Sequence, residues 1–502
     1  MSKNQKLDKY NRAKTQYKGA GTGRNLGRWS MKKSAPDVVI KDLPTLRGRS
    51  DALYKNNSLA RSAINKNLDN IIGSGMRPHP MPNHKALGIS KKKAKKLGKQ
   101  MLREFNFVAN SQNIDAERTQ NFYEIQIPAF YSMLIGGDVF ALLPRIERIG
   151  TPYTTAIALI SADQVCNPNG NLEKANLAGG IEVGSNGDPI YYHILKEHPN
   201  GLNYTKEWQI IKAFDDNGRR MVLHLFQKME AGQKRGIPYL APIIQLVKTL
   251  GDYTDSEVTA ALVSSLFTVF VKSEEGAGLE MDLADEAQSQ DEHVDYSMSA
   301  GSVINLKNGE DIEIADPSRP NKNYEVFYKA IVRELAVGLN LNYSILMTEF
   351  NKSFTASRAE LLQVWKYFKR QRTMFTNRFA QPIFERVIEE AVLLGRINAP
   401  GFLEDPFMRE AYLNCSWTGE LAGAIDEIKE VKAAKARVDA GFSTREKESA
   451  MMNGSSFDEN INVAEDESSK MIDANLMDKR LKPEKVKKKK KKKSKKKVED
   501  EE

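Results

Sequence analysis

The hydrophobic pattern of this chain is dominated by helical spacing over residues 324–394. YEVFYKAIVRELAVGLN sets Val326, Ala330, Leu335 and Val337 on one face of a helix and charges on the other. The polar stretch LNYSILMTEFNKSFTAS interrupts it, and helical spacing resumes in SRAELLQVWKYFKRQRTMFTNRFAQPIFERVIEEAVLLG. A helix of that length spans about 60 Å at roughly 1.5 Å per residue, longer than a compact domain requires. Pro382 lies inside it without ending the pattern. This predicts a kink, because proline removes a backbone hydrogen bond and crowds the preceding turn. Trp365, Tyr367, Phe368, Phe375, Phe379 and Phe384 are spread too widely around the helix for one partner to cover. The pattern predicts several partners, some from other copies of the chain.

Upstream, RGRSDALYKNNSLARSAINKNLDNIIGSGM predicts a helix with Ala60, Ala63, Ile64, Leu68 and Ile71 inward, stopped at Gly73. KKKAKKLGKQMLREFNFVAN predicts a basic helix whose lysines fit a solvated face better than a nucleic-acid contact. NFYEIQIPAFYSMLIGGDVFALLPRI runs from helix to strand across Gly136 and Gly137. TTAIALISADQV, GGIEVG and PIYYHILKEH carry strand signals, and the Asn-Gly pairs in SNGD and FDDNGRRMVLHLF predict hairpins. These form an α+β domain ending near Gln233.

GQKRGIPYLAPIIQLVKTLGDYTDSEVTAALVSSLFTVFVKSE predicts a second long helix, with Pro242 near its start, where proline is tolerated. An acidic stretch, SEEGAGLEMDLADEAQSQDEHVD, and a strand–turn–strand pattern, AGSVINLKNGEDIEIADP, separate the two long helical regions. After Gly395, IDEIKEVKAAKARVDAG places Ile425, Ile428, Val431 and Val438 in one stripe closed by Gly441.

Composition changes the picture in two ways. At 502 residues the chain can bury a large core and hold about two to four domains. Its two cysteines, Cys166 and Cys415, argue against a disulfide framework and for a reduced setting. No run is long or apolar enough to cross a bilayer, which predicts a soluble protein. The net charge of +10 is concentrated in residues 1–35 and in KKKKKKKSKKK near the end, which leaves the long middle net acidic. A folded surface that grips nucleic acid shows the opposite balance.

The usual catalytic constellations are absent from the sequence. It has no GxxxxGK[ST], HExxH or GxSxG, and GAGTGRNLG neither follows a strand nor opens a helix. His193 and His198 fall on opposite faces of a strand-like segment, and His79 and His84 flank prolines. Asp215 and Asp216 precede Asn217-Gly218, where aspartate suits the turn itself. A metal-dependent nickase or nuclease using Asp291, Glu292 and Mg²⁺ is the enzymatic alternative. The surrounding acids lack the periodicity that would fix a ligand cage, so no metal or cofactor is expected.

The order of parts resembles that of tailed-phage portal proteins of the lambda-type family. The likeness is carried by RGRSDALYKNNSLARSAINKNLDNIIGSG, LIGGDVFALL, HLFQKMEAGQKRGIPYLAPIIQLVKTLGDYTDSEVTAALV, AGSVINLKNGEDIEI and FYKAIVRELAVGLNLNYSILMTEFNKSFTASRAELLQVWKYF. It implies an α+β portal fold: a flexible basic arm (1–35), a wing (36–240), a stem helix (241–272), a clip (273–322) and a second stem helix (323–340). A tunnel loop (341–356), a long kinked wing helix (357–397), a helical crown (398–455) and a disordered lysine-rich tail (456–502) follow.

The resemblance further implies a ring of roughly twelve copies at one capsid vertex of the virion, assembled in the host cytoplasm and acting as a structural conduit for double-stranded DNA. The implied partners are the large terminase, the major capsid and scaffolding proteins and a head–tail adaptor, with no membrane. DNA would face Asn340, Asn342, Ser344, Thr348, Asn351, Lys352, Ser353, Thr355 and Arg358, polar groups able to bond phosphates without reading bases. The acidic clip residues Glu274, Glu275, Asp282, Asp285, Glu286, Asp291 and Glu292 would keep the polyanion from sticking.

Overall fold

Asn57 divides the first helical run in two. α1 (Leu43–Asn56) ends there because Asn57 is extended, and its side-chain oxygen accepts from Ala60 N at 3.0 Å to start α2 (Ser58–Asn67). The predicted single helix is thus two, because a side-chain cap competes with the helical ladder. Ala60, Ala63, Ile64 and Ile71 are buried as the spacing predicts, and a π turn over Leu68–Ile72 leads into Gly73 at φ 58°.

The computed structural model describes residues 35–170, 173–174, 176–201, 206–265, 269–273, 310–314, 323–349, 353–419, 427–452, 454 and 457–474. The predicted arm up to residue 34, all the named acidic clip residues and the lysine run lie outside these residues. The chain forms two compact units, residues 1–420 and 421–502.

In the first unit, β1 (Arg77–Pro80) precedes α3 (Lys91–Ala109), which buries Met101, Phe105 and Val108 and leaves Lys91, Lys92, Lys93, Lys95 and Lys96 exposed. α4 (Phe122–Gly136) opens on a capping box between Asn121 and Glu124 and turns at Gly137, φ 86°, into β2 (Asp138–Leu142). β2 is the centre of a three-stranded antiparallel sheet between β3 (Ala158–Ile160) and a later strand. A second sheet contains β4 (Leu177–Ala178), β5 (Ile181–Val183), β6 (Pro189–Leu195) and β7 (Trp208–Lys212) in sequential order.

The two Asn-Gly turns behave differently. SNGD joins neighbours β5 and β6 as predicted. The turn at Asn217-Gly218 forms, with Asp215 Oδ1 accepting from Asn217 N at 2.9 Å and Arg219 N at 2.8 Å. Its flanking strands diverge, however: β7 pairs with β6, while β8 (Val222–Phe226) pairs with β2. Burial of Val222, Leu223 and Leu225 takes β8 into the first sheet, overriding the local hairpin signal.

α5 (Ile244–Ser265) follows a 3₁₀ turn at Ala241–Ile243 and is shorter than predicted. Residues 269–272, expected as its end, belong to β9 (Val269–Ser273), which pairs antiparallel with β10 (Glu310–Ile314). The β-branched Val269 and Val271 suit a strand better than a helix.

α6 (Tyr324–Gly338) buries Val332, Leu335 and Ala336. The predicted inward face is largely wrong: Val326 is 71% and Val337 76% exposed and Ala330 is exposed too. At about 100° per residue Leu335, which is buried, lies on the opposite side of the helix from them. α6 instead turns Tyr324 and Phe327 toward Tyr253 of α5, at ring separations of 5.8 and 5.2 Å. The short α7 (Tyr343–Met347) leads to α8 (Phe354–Phe375), a π turn over Thr376–Ala380, and α9 (Gln381–Leu393).

The departure from α geometry therefore precedes Pro382. Gln381 N bonds Thr376 O, five residues back, which widens the turn where proline would crowd the carbonyl four residues before it. Phe368, Phe375, Phe379 and Phe384 are fully buried by their own chain, Phe375 against Phe130 and Phe384 against Phe105. The expectation of partners from other copies does not hold for them, because α3 and α4 cover α8 and α9.

Residues 398–419, predicted to begin the crown, are part of this first unit. α10 (Pro406–Leu413) leads to β11 (Cys415–Thr418), which pairs with β1, so that Trp417 packs on Phe105 and Phe384. Sequence spacing near residue 400 carries no signal of a strand more than 300 residues earlier.

The second unit contains α11 (Glu427–Asp439), α12 (Arg445–Met452) and α13 (Phe457–Asp473). Gly441 ends α11 at φ 76° as expected, but Ile428 and Val431 are exposed and Ala434 is the buried residue. Ile425 lies outside the described residues. α13 is a helix where the sequence suggested disorder; Ile461, Val463 and Met471 recur among charges along it.

Candidate functional site

The segment joining α6 to α8 is built from helix caps, and its polar residues serve the backbone first. α6 ends in a Schellman motif: Asn340 takes φ 56°, its N–H donates to Val337 O, and Leu341 N donates to Ala336 O at 2.9 Å. Thr348, also at φ 56°, ends α7 in the same way, with Glu349 N bonding Ser344 O at 3.0 Å. Ser353 caps α8 by accepting from Ala356 N. Asn340, Thr348 and Ser353 are exposed.

The other predicted residues divide sharply. Ser344 is buried, and its hydroxyl donates to the Glu360 carboxylate at 2.8 Å, so it is not available at a surface. The apolar Ile345 and Leu346 pull that turn into the core. Asn342 and Arg358 are half-buried. Asn351 and Lys352, like the side chain of Thr355, lie outside the described residues.

Three groups that hold this segment carried no motif. The Tyr239 hydroxyl donates to Leu339 O and accepts from Asn67 Nδ2 at 3.2 Å. Burial, then the nearby Tyr367, pushes the Tyr239 phenol far above its ordinary value, so it stays a donor. Ser62 Oγ donates to Leu346 O at 2.8 Å. Gly338 approaches the 3₁₀ turn ahead of α5 so closely that a Cβ there would lie 2.9 Å from Ile243 Cγ2. The only signal for these contacts was a tyrosine just ahead of a long helix, which is no signal by itself.

Charge along the paired helices is balanced or acidic. On α5 Lys248 pairs with Asp252, beside Asp255 and Glu257; on α6 Lys329 pairs with Glu325 at 2.5 Å, and Arg333 neighbours Glu334. Neither helix presents the basic stripe that grips phosphates. Among the described residues no three His, Cys, Asp or Glu side chains converge as a metal site. No described helix is long and apolar enough to cross a membrane.

Residues 22–372 match the family model described as phage portal protein, lambda family. Portal protein B of Escherichia phage lambda is 25% identical over 457 residues, which cover 86% of this chain and 85% of that protein. The portal protein of Escherichia phage N15 is also 25% identical over 457 residues, covering 86% of each. Among solved structures, a chain from the neck of a native GTA particle computed with C12 symmetry aligns over 87% of this chain and 99% of its own, with 12% identity and a TM-score of 0.43. A chain from the virion of a native gene transfer agent particle aligns over 83% and 94%, with 12% identity and a TM-score of 0.41.

Proposed function

Because the chain belongs to the lambda family of phage portal proteins, we propose that it closes with copies of itself into a ring of roughly twelve subunits at one capsid vertex. Double-stranded DNA passes through that ring during packaging and ejection. α5 and α6 form the stem around the channel, the acidic segment 274–309 with its flanking strands β9 and β10 forms the clip, and terminase and then head–tail adaptors dock on the clip. The protein catalyses nothing itself.

The observation that carries this reading is the apolar face of α6 left uncovered by its own chain, at Val326, Ala330 and Val337. Single exposed apolar residues are ordinary, whereas several aligned on one helical face favour a partner. The charge layout supports it too. Each phosphate contact releases counterions and tightens binding, so a channel for a sliding polyanion works best with a wall that is neutral or acidic. Exposed Asn340, Thr348 and Ser353 can bond phosphates weakly and without reading sequence.

Light scattering coupled to size exclusion tests the proposal. The expected result is an assembly of roughly twelve subunits. A monomer or dimer at micromolar concentration, with Mg²⁺-dependent DNA cleavage lost when Asp291 and Glu292 are neutralised, would overturn it in favour of the nuclease alternative.

A further inference from the structure

A cleft of about 810 Å³ lies between the Asn217-Gly218 turn and α9, within the first unit. That volume is in the range of small-molecule sites. Phe214, Arg219, Arg386, Glu389, Phe402 and Arg409 are among its walls. Arg386 is only 8% exposed, and its Nη1 has no hydrogen-bond partner among the described residues. A buried guanidinium donor left unmet is uncommon, because burial removes the water that would satisfy it.

The nearby acids do not satisfy it. Glu389, one turn along α9, has one carboxylate oxygen 2.5 Å from Arg219 Nη2 and the other 3.2 Å from Arg409 Nη2. Two guanidinium groups thus share one carboxylate, and Arg386 stands beside an acid already neutralised. Glu385 accepts from Gln381 Nε2 at 3.0 Å, and burial pushes its carboxyl upward, toward the neutral form. Glu404 is the remaining acid of the wall. The wall also has an apolar side: Phe214, Leu393 and Leu403 are exposed, while Phe402 is buried beneath Arg409, which lies over its ring at 5.8 Å.

We propose that this cleft binds a small free oxyanion, a phosphate or an organic carboxylate, with Arg386 as its buried cation and the exposed Phe214, Leu393 and Leu403 receiving any apolar body. The site serves neither the DNA path nor the ring contacts proposed above and does not depend on them. A monomer in light scattering would leave it untouched.

The experiment follows thermal unfolding of the full chain against inorganic phosphate and, separately, hexanoate, at constant ionic strength. The basic termini attract anions as well, so Arg386→Met in the same full chain isolates the cleft. The expected result is a saturable rise in melting temperature for the wild type with at least one probe, absent in Arg386→Met. Without ligand the variant should melt no lower than the wild type, because an apolar side chain of similar length removes a buried donor that has no hydrogen-bond partner among the described residues. Should Arg386→Met fail to fold, Arg386→Lys keeps the charge without the guanidinium fork and should weaken the half-saturation concentration by about tenfold. A wild type indifferent to both probes, or a variant that responds as the wild type does, overturns the proposal.

Discussion

Asp138 begins β2 with none of its side chain exposed, and it is held as a carboxylate by a set of donors drawn from distant parts of the chain. Arg235 approaches at 2.5 and 3.1 Å, Arg47 at 3.1 Å, the Gly236 amide at 3.2 Å and His224 at 3.3 Å. Burial alone would raise its carboxyl, but Arg235 and the His224 hydrogen bond outweigh it and hold the group well below the usual range. Asp138→Asn strands the charge of Arg235, while Arg47 keeps Asp163 at 3.1 Å, and should cost about 3–5 kcal/mol in denaturant unfolding at neutral pH.

The pH dependence of this cluster has a defined sign. Burial lowers the His224 imidazole despite the Asp138 carboxylate beside it. The unfolded chain therefore takes up that proton first, and stability should fall as pH drops below about 6.5. The Asp138 contribution, with its folded value depressed, persists until pH falls below about 3.9. His224→Gln should remove the first slope and leave the second when urea midpoints are followed against pH. None of this cluster was legible beforehand, because Asp138 and Arg235 are 97 residues apart and no local period links them.

At the scale of elements, tight approaches decide what the backbone tolerates. A Cβ on Gly236 would lie 1.9 Å from Gly137 O, so Gly236→Ala must part the α4–β2 turn from the segment leading to α5. The expected loss is more than about 3 kcal/mol. Gly218, at φ 74° with nothing within 4 Å of such a Cβ, should cost only about 1 kcal/mol as Ala, the strain of the left-handed backbone itself. Thermal or chemical unfolding of the two variants side by side checks the contrast. Local signals read well here: the α4–β2 junction at Gly136-Gly137, the SNGD hairpin and the stop at Gly441 all follow from residue type. The break at Asn57 is equally local, but a capping Asn inside a helical pattern looks like any surface residue.

At the scale of the whole molecule, the uncovered face of α6 separates folding from assembly. Val326→Glu with Val337→Glu changes two side chains that are 71% and 76% exposed, so unfolding of the isolated subunit should shift by less than about 0.5 kcal/mol. Light scattering should show the ring reduced to small species, because each glutamate would be carried into a desolvated contact with no partner of opposite charge. Unchanged particle mass would move the interface elsewhere on the subunit.

From its residues alone the chain determined where most helices, strands and turns lie, that its bases collect at the two ends, and which family its order of parts resembles. Those properties are local or additive: period, turn chemistry and charge need no knowledge of what packs where. Tertiary structure alone decided that Val326 and Val337 face outward, that α3 and α4 enclose the aromatics of α8 and α9, and that β11 crosses back to β1. It likewise decided that Ser344 is spent inside the fold, that Asp138 gathers two arginines, and that Arg386 is left with a donor unmet. Helical spacing states that a face is apolar; only the packed neighbours settle whether that face meets its own chain or stays uncovered.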